Sequence, residues 1–162
     1  IINKFNNFIN KIKAKQDPNN SYPIRFFHWS HCENTLLSSA LIKHELYNLF
    51  NPLTTTNTNI AWIDLCDIFI KEPIVINGLT NFKLKDVAKA MKNHGMIDTV
   101  WDTTSPISDG LNAMQMAGRY YIKKRQQTLT DNDKKIFQDI IKYNEIDCKV
   151  MLDIVNYLRK ID

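Results

Sequence analysis

The chain reads as an α/β protein, with helices and strands alternating in its first half and a helix-rich C-terminal half. Three observations predict this. Two short apolar runs, Ile24-Arg25-Phe26-Phe27 and Ile60-Ala61-Trp62-Ile63, have the length and the β-branched or aromatic content of buried strands. Each follows a segment whose apolar residues recur at helical spacing. Beyond residue 80 helical spacing is the dominant pattern.

Ile1, Ile2, Phe5, Phe8, Ile9 and Ile12, with Asn and Lys between them, predict an amphipathic helix over residues 2 to about 15. Asp17-Pro18-Asn19-Asn20-Ser21 ends it. Tyr22 to Trp29 follows as a buried strand, and its end carries a polar cluster, His28-Trp29-Ser30-His31-Cys32-Glu33. Leu36, Leu37, Ala40, Leu41, His44, Leu46 and Tyr47 predict a helix over Glu33 to Asn48, closed at Asn51-Pro52. Thr54 to Asn59 is a loop, and Ile60 to Leu65 is a second buried strand with Asp64 near its end.

Phe82, Leu84, Val87, Ala88 and Met91 give a helix over Asn81 to Met91, with Gly95 placed to stop it. Ser108-Asp109-Gly110 leads into a helix through Tyr121, and Thr130-Asp131-Asn132-Asp133 caps a long last helix. Neither a repeat nor a linker divides the chain, so residues 1–162 read as a single domain.

A hydrophobic content of 44% over 162 residues is that of a globular chain with one core. The net charge of +4 permits an anionic partner without requiring one. Cys32, Cys66 and Cys148 are odd in number and far apart, which argues against a disulfide framework or a zinc ribbon and for a reducing compartment. No apolar run approaches a membrane span, and residues 1–15 lack a signal peptide's apolar core. The expectation is a soluble intracellular protein, cytoplasmic or nucleoid-associated. The chain opens on Ile, which reads as a processed product or a fragment of something longer. Two strands do not make a self-sufficient parallel sheet, because buried strands need neighbours for their backbone groups. Further strands are therefore expected upstream of Ile1 or from another chain.

Tyr143 and Asp147, four residues apart, share one helix face, a geometry suited to holding a metal-bound water. Each chemistry-bearing residue also has a plainer reading. Tyr143 and Asp147 can be a half-buried tyrosine and a surface carboxylate, and Glu33 a first-turn acid favoured by the helix dipole. His28 and His31 can be structural, Trp29 a core residue, and Asp64 the cap of a following helix. Lys123-Lys124-Arg125 is either a solvated face or a phosphate contact.

Three stretches together resemble the ribonuclease H-like 3′-to-5′ exonucleases of the DEDD type, in their tyrosine variant, and especially the nuclease branch found beside helicase and RecB-type modules. Tyr143-Asn144-Glu145-Ile146-Asp147 resembles the third exonuclease motif, and Phe27-His28-Trp29-Ser30-His31-Cys32-Glu33 the second, with Glu33 where Asp is usual. Trp62-Ile63-Asp64-Leu65 and then Phe82 to Ala88 resemble the strand and helix between them. The first motif, Asp-x-Glu, has no match before Tyr22.

The resemblance implies a ribonuclease H-like domain lacking its first strands, truncated at its N-terminus. It also implies a hydrolase that cleaves phosphodiester bonds in DNA or RNA, in the setting of DNA repair, with two Mg²⁺ or Mn²⁺ ions. Asp147 and Glu33 would be metal ligands, Tyr143 would orient the attacking water, and His28, Trp29 and His31 would contact nucleic acid. Helicase or RecB-type nuclease modules are the implied protein partners. The alternatives are a non-catalytic nuclease-like scaffold or nucleic-acid-binding module in a larger assembly, and a helical protein unrelated to nucleases.

Overall fold

Strand β1 (Ile24–His28) and strand β2 (Ile60–Asp64) pair in parallel, from Ile24 opposite Ile60 to His28 opposite Asp64. The polar residues that end the two apolar runs thus stand side by side at the carboxyl end of the pair. This computed structural model describes residues 2–19, 21–22, 24–46, 60–72, 74–102, 105–107 and 109–161. The helices are α1 (Ile2–Gln16), α2 (Cys32–Lys43), α3 (Leu65–Lys71), α4 (Leu84–Asn93), α5 (Gly110–Gln126) and α6 (Asp131–Leu158). The chain divides into two compact units, Ile1–Ile74 and Val75–Asp162. Among the described residues no helix is long and apolar enough to cross a membrane.

In the first unit Phe26 stacks on Trp62 across the strand pair at 5.1 Å, and Phe5 of α1 tilts against Phe26 at 5.9 Å. Leu41, Leu65 and Phe69 are fully buried. Sequence periodicity does not predict α3, whose apolar residues continue the run of β2. Asp64 makes the break: its carboxylate accepts from the N–H groups of Cys66 (2.9 Å) and Asp67 (3.3 Å), satisfying donors that a helix start leaves open. Leu65 and Phe69 then fall four apart on the buried face.

Helix α2 closes at Lys43, five residues before its predicted end. The Leu46 N–H donates to the Leu41 carbonyl (2.8 Å) and the Glu45 N–H to that of Ile42 (3.1 Å), a Schellman closure with Glu45 left-handed at φ 54. The predicted stop at Asn51-Pro52 and the Thr54 to Asn59 loop lie outside the described residues.

The second unit follows the sequence reading closely. Asp109 caps α5 by accepting from the Asn112 N–H (2.8 Å), Thr130 and Asp133 form a capping box on α6, and Gly95 takes φ 69 just beyond α4. Tyr120 of α5 stacks on Phe137 of α6 at 4.1 Å. Ile107, Ala113, Ile140 and Tyr143 form a buried cluster, with Trp101, Met116 and Phe137 packed against it.

The ribonuclease H-like fold expected from the resemblance is corrected by this architecture. That fold rests on a multi-stranded central sheet, whereas the described residues form one open pair of strands and are predominantly helical. The α/β reading is corrected with it, to a helix-dominated chain. Every described element after Val75 is a helix, so the described residues there offer the sheet no further strand.

Candidate functional site

Helix α6 presents Tyr143 and Asp147 on one face, as their spacing requires, and the loop before α5 brings Trp101 onto them. The Trp101 indole N–H donates to the Asp147 carboxylate at 2.8 Å. Lys85 of α4 places its ammonium 4.9 Å from the centre of the Tyr143 ring and 5.5 Å from that of Trp101, a cation held over two aromatic faces. Tyr143 itself is buried, and its phenol is pushed up to about 12, first by that burial and then by the carboxylates of Asp147 and Asp109. At neutral pH it is therefore an uncharged hydroxyl, not a base.

Trp101 is also a wall shared by two grooves. One, of about 400 Å³, is lined by Lys135, Asp139, Lys142 and Tyr143 of α6. The other, of about 510 Å³, is lined by Lys85, Lys89 and Lys92, which follow one another at helical spacing along α4. Asp102, Ser105 and Ile107 line both. Lys92 is paired with Asp98 at 3.0 Å in an exposed ion pair. The half-buried indole thus stands between two sets of ammonium groups. Trp101 has no periodic pattern around it, so the sequence gives no sign of its role. The one legible trace is the spacing of Lys85, Lys89 and Lys92.

The other residues singled out in the sequence lie in the first unit. His28 is buried, and its Nδ1–H donates to the Ser30 carbonyl. Ser30 is left-handed at φ 65, and its own N–H donates to Asp64 at 2.9 Å. One carboxylate therefore ties the end of β1 to the start of α3. Trp29 is buried and tilts against Phe69 at 5.6 Å. His31 is exposed, with its Nδ1 3.1 Å from the Ser30 hydroxyl, and Glu33 is an exposed acid in the first turn of α2. Of the Lys123-Lys124-Arg125 cluster, Lys123 is engaged by Asp133 at 2.6 Å.

The expected two-metal nuclease site is corrected on this geometry. Such a site needs several carboxylates converging on cations about 4 Å apart. Among the described residues no group of three or more His, Cys, Asp and Glu side chains is placed to hold a metal ion. Of the expected ligands, Asp147 is hydrogen-bonded to Trp101 and Glu33 is an exposed acid of α2. The architecture of a two-metal nuclease site is thus not found among the described residues, and no hydrolytic step is assigned to them. The exonuclease, hydrolase and DEDD-type readings fall with that site, and the family resemblance falls with the missing sheet. No protein-family model, curated protein or solved structure matches the chain.

Proposed function

We propose that the Val75–Asp162 unit is a binding module for single-stranded nucleic acid, DNA or RNA. The observation that carries this reading is Trp101, standing between lysine-lined grooves. Proteins that hold single strands combine a cationic track for the phosphates with aromatic rings on which bases stack, and stacking contributes about 1–3 kcal/mol per base. Lys85, Lys89 and Lys92 on one side of the indole and Lys135 and Lys142 on the other supply such a track. Asp102 and Asp139 repel phosphate locally and so favour a path along the lysine-bearing walls. The exposed Lys92–Asp98 pair contributes less than about 1 kcal/mol, so a phosphate can replace Asp98 at little cost.

The test is fluorescence anisotropy with labelled oligo-dT and oligo-U of about 20 nucleotides, long enough for a single-strand site, in about 50 mM salt. Saturable binding is expected, weakened at least about tenfold, or 1.4 kcal/mol, by the double change Lys89→Glu and Lys135→Glu. Trp101→Phe retains a stacking face and binds better than Trp101→Ala. Circular dichroism checks that each variant is folded. Binding that ignores the lysine changes, or no saturable binding at that salt, rules the reading out.

A further inference from the structure

We propose that the outer edge of β1 takes up an extended peptide strand from a partner protein, apolar at alternate positions and acidic between them. This site lies in the first unit and does not depend on the nucleic-acid reading.

Three observations converge on it. The first is the backbone. Among the described residues β1 pairs with β2 and with no other strand. In a parallel ladder alternate residues direct their N–H and C=O groups towards the neighbour, and the residues between direct theirs away. Every second residue of β1 therefore offers a donor and an acceptor outward, which is a template for a further strand. An isolated pair of strands is also marginal in water, so a third strand has a stability gain to supply.

The second observation is a groove of about 490 Å³ that follows this strand, lined by Ile24, Arg25 and Phe26 on one side and by α1 on the other. Side chains of consecutive strand residues point to opposite faces, so a groove touching three in a row borders the edge of the strand and not a single face. Across it α1 presents Phe5, Phe8 and Ile12, at helical spacing, and Tyr22 adds a further apolar side chain. Phe8 and Tyr22 are 58% and 75% exposed, so these side chains leave uncovered the apolar surface that alternate residues of an incoming strand would bury.

The third is charge. Of the residues lining the groove, Lys13 of α1 and Arg25, exposed on β1, are basic, and α1 carries no acidic residue. The carboxylate in the groove, Asp17, accepts from the N–H groups of Ser21 (2.9 Å) and Tyr22 (2.8 Å). Two basic groups against one carboxylate leave the lining with a positive excess, which favours acidic over basic residues at the solvent-facing positions of the incoming strand.

The experiment is hydrogen exchange read by mass spectrometry on the full chain, with an acetylated peptide of alternating Val and Glu as the probe and one of alternating Val and Lys as its control. The expected result is saturable slowing, of at least about tenfold, at the β1 amides with the Glu peptide alone, while α6 is unchanged. Phe8→Asp should abolish that slowing, and Arg25→Glu, on an exposed strand position, should shift the preference towards the Lys peptide. Circular dichroism establishes that both variants keep their helix content. Absence of slowing at millimolar Glu peptide, or equal slowing by both peptides, overturns the proposal. So does β1 protection that rises with protein concentration alone, since that assigns the edge to a second copy of the chain.

Discussion

Tyr143 and Asp147 illustrate how much a pair of residues means once its neighbours are known. Their shared helix face suggests a metal-bound water, but Asp147 accepts a hydrogen bond from Trp101, and Tyr143 lies in the core under the ammonium of Lys85. Because burial and two carboxylates push the Tyr143 phenol up to about 12, the fold favours its neutral form. The resulting stability is fully present below the ordinary tyrosine pKa of about 10 and is lost as pH rises through about 12. Titration of tyrosinate absorbance should accordingly find one of the six tyrosines ionising last, near 12, and Tyr143→Phe should remove that step. At the same site Asp147→Ala leaves the indole N–H without this acceptor and should cost about 1–3 kcal/mol in urea unfolding, whereas Asp147→Asn, which keeps an acceptor oxygen, should cost less. Equal losses would mean that the hydrogen bond is not what Asp147 contributes.

The helix ends obey local chemistry, and so most of them are legible in the sequence. Thr130 and Asp133 close a capping box, and Asp133 also takes the ammonium of Lys123. The Lys123 hydrogen bond first, then the Thr130 hydroxyl and N–H, hold the Asp133 carboxyl down to about 2. A depressed carboxylate stabilises the fold above its unfolded pKa of about 4 and ceases to as pH falls through about 2. Thermal unfolding between those limits should therefore lose stability more steeply in the parent chain than in Asp133→Asn.

Helix ends that rely on the left-handed region behave differently. Gly95 reaches φ 69 without strain, whereas Glu45 and Gln127 pay for φ 54 and φ 57 with a Cβ. Glu45→Gly should raise stability by about 1 kcal/mol and Gly95→Ala lower it by a similar amount, even though the added Cβ at Gly95 meets open space. Chemical denaturation of the two variants checks both signs. Glu45 is also why α2 ends early: a Schellman closure at a glutamate leaves no trace in composition, and the apolar residues that follow it continue the helical pattern.

On the scale of the whole molecule, the excess of +4 is modest and does not by itself select a partner. The distribution of charge matters more, with five lysines in the walls of the two grooves beside Trp101. If all five meet phosphates, the logarithm of affinity for a single strand should fall with the logarithm of salt at a slope of about −3 to −4. A slope near zero would mean that the grooves do not carry the phosphate track. The two strands, five of the six helices and the caps Asp109 and Thr130 were readable from periodicity and capping residues. Helix α3 was readable only as the helix that Asp64 could cap, a reading its carboxylate bears out by accepting from two backbone N–H groups, while its apolar residues merely continue the run of β2. The candidate groove was half readable: Tyr143 lies on its wall, while Trp101 sits in a loop without pattern.

The amino-acid sequence alone determined what depends on residues a few positions apart: which segments wind into helices, where their polar caps fall, and which two runs extend as strands. Tertiary structure alone decided where distant residues meet. It ended the sheet at two strands among the described residues, and it brought the Trp101 indole to Asp147 across 46 positions of chain. The physical reason is that hydrogen bonds within a turn form with near neighbours whatever the rest of the chain does. A contact across dozens of residues must offset the entropy of closing its loop, and only the packing of a whole unit supplies that.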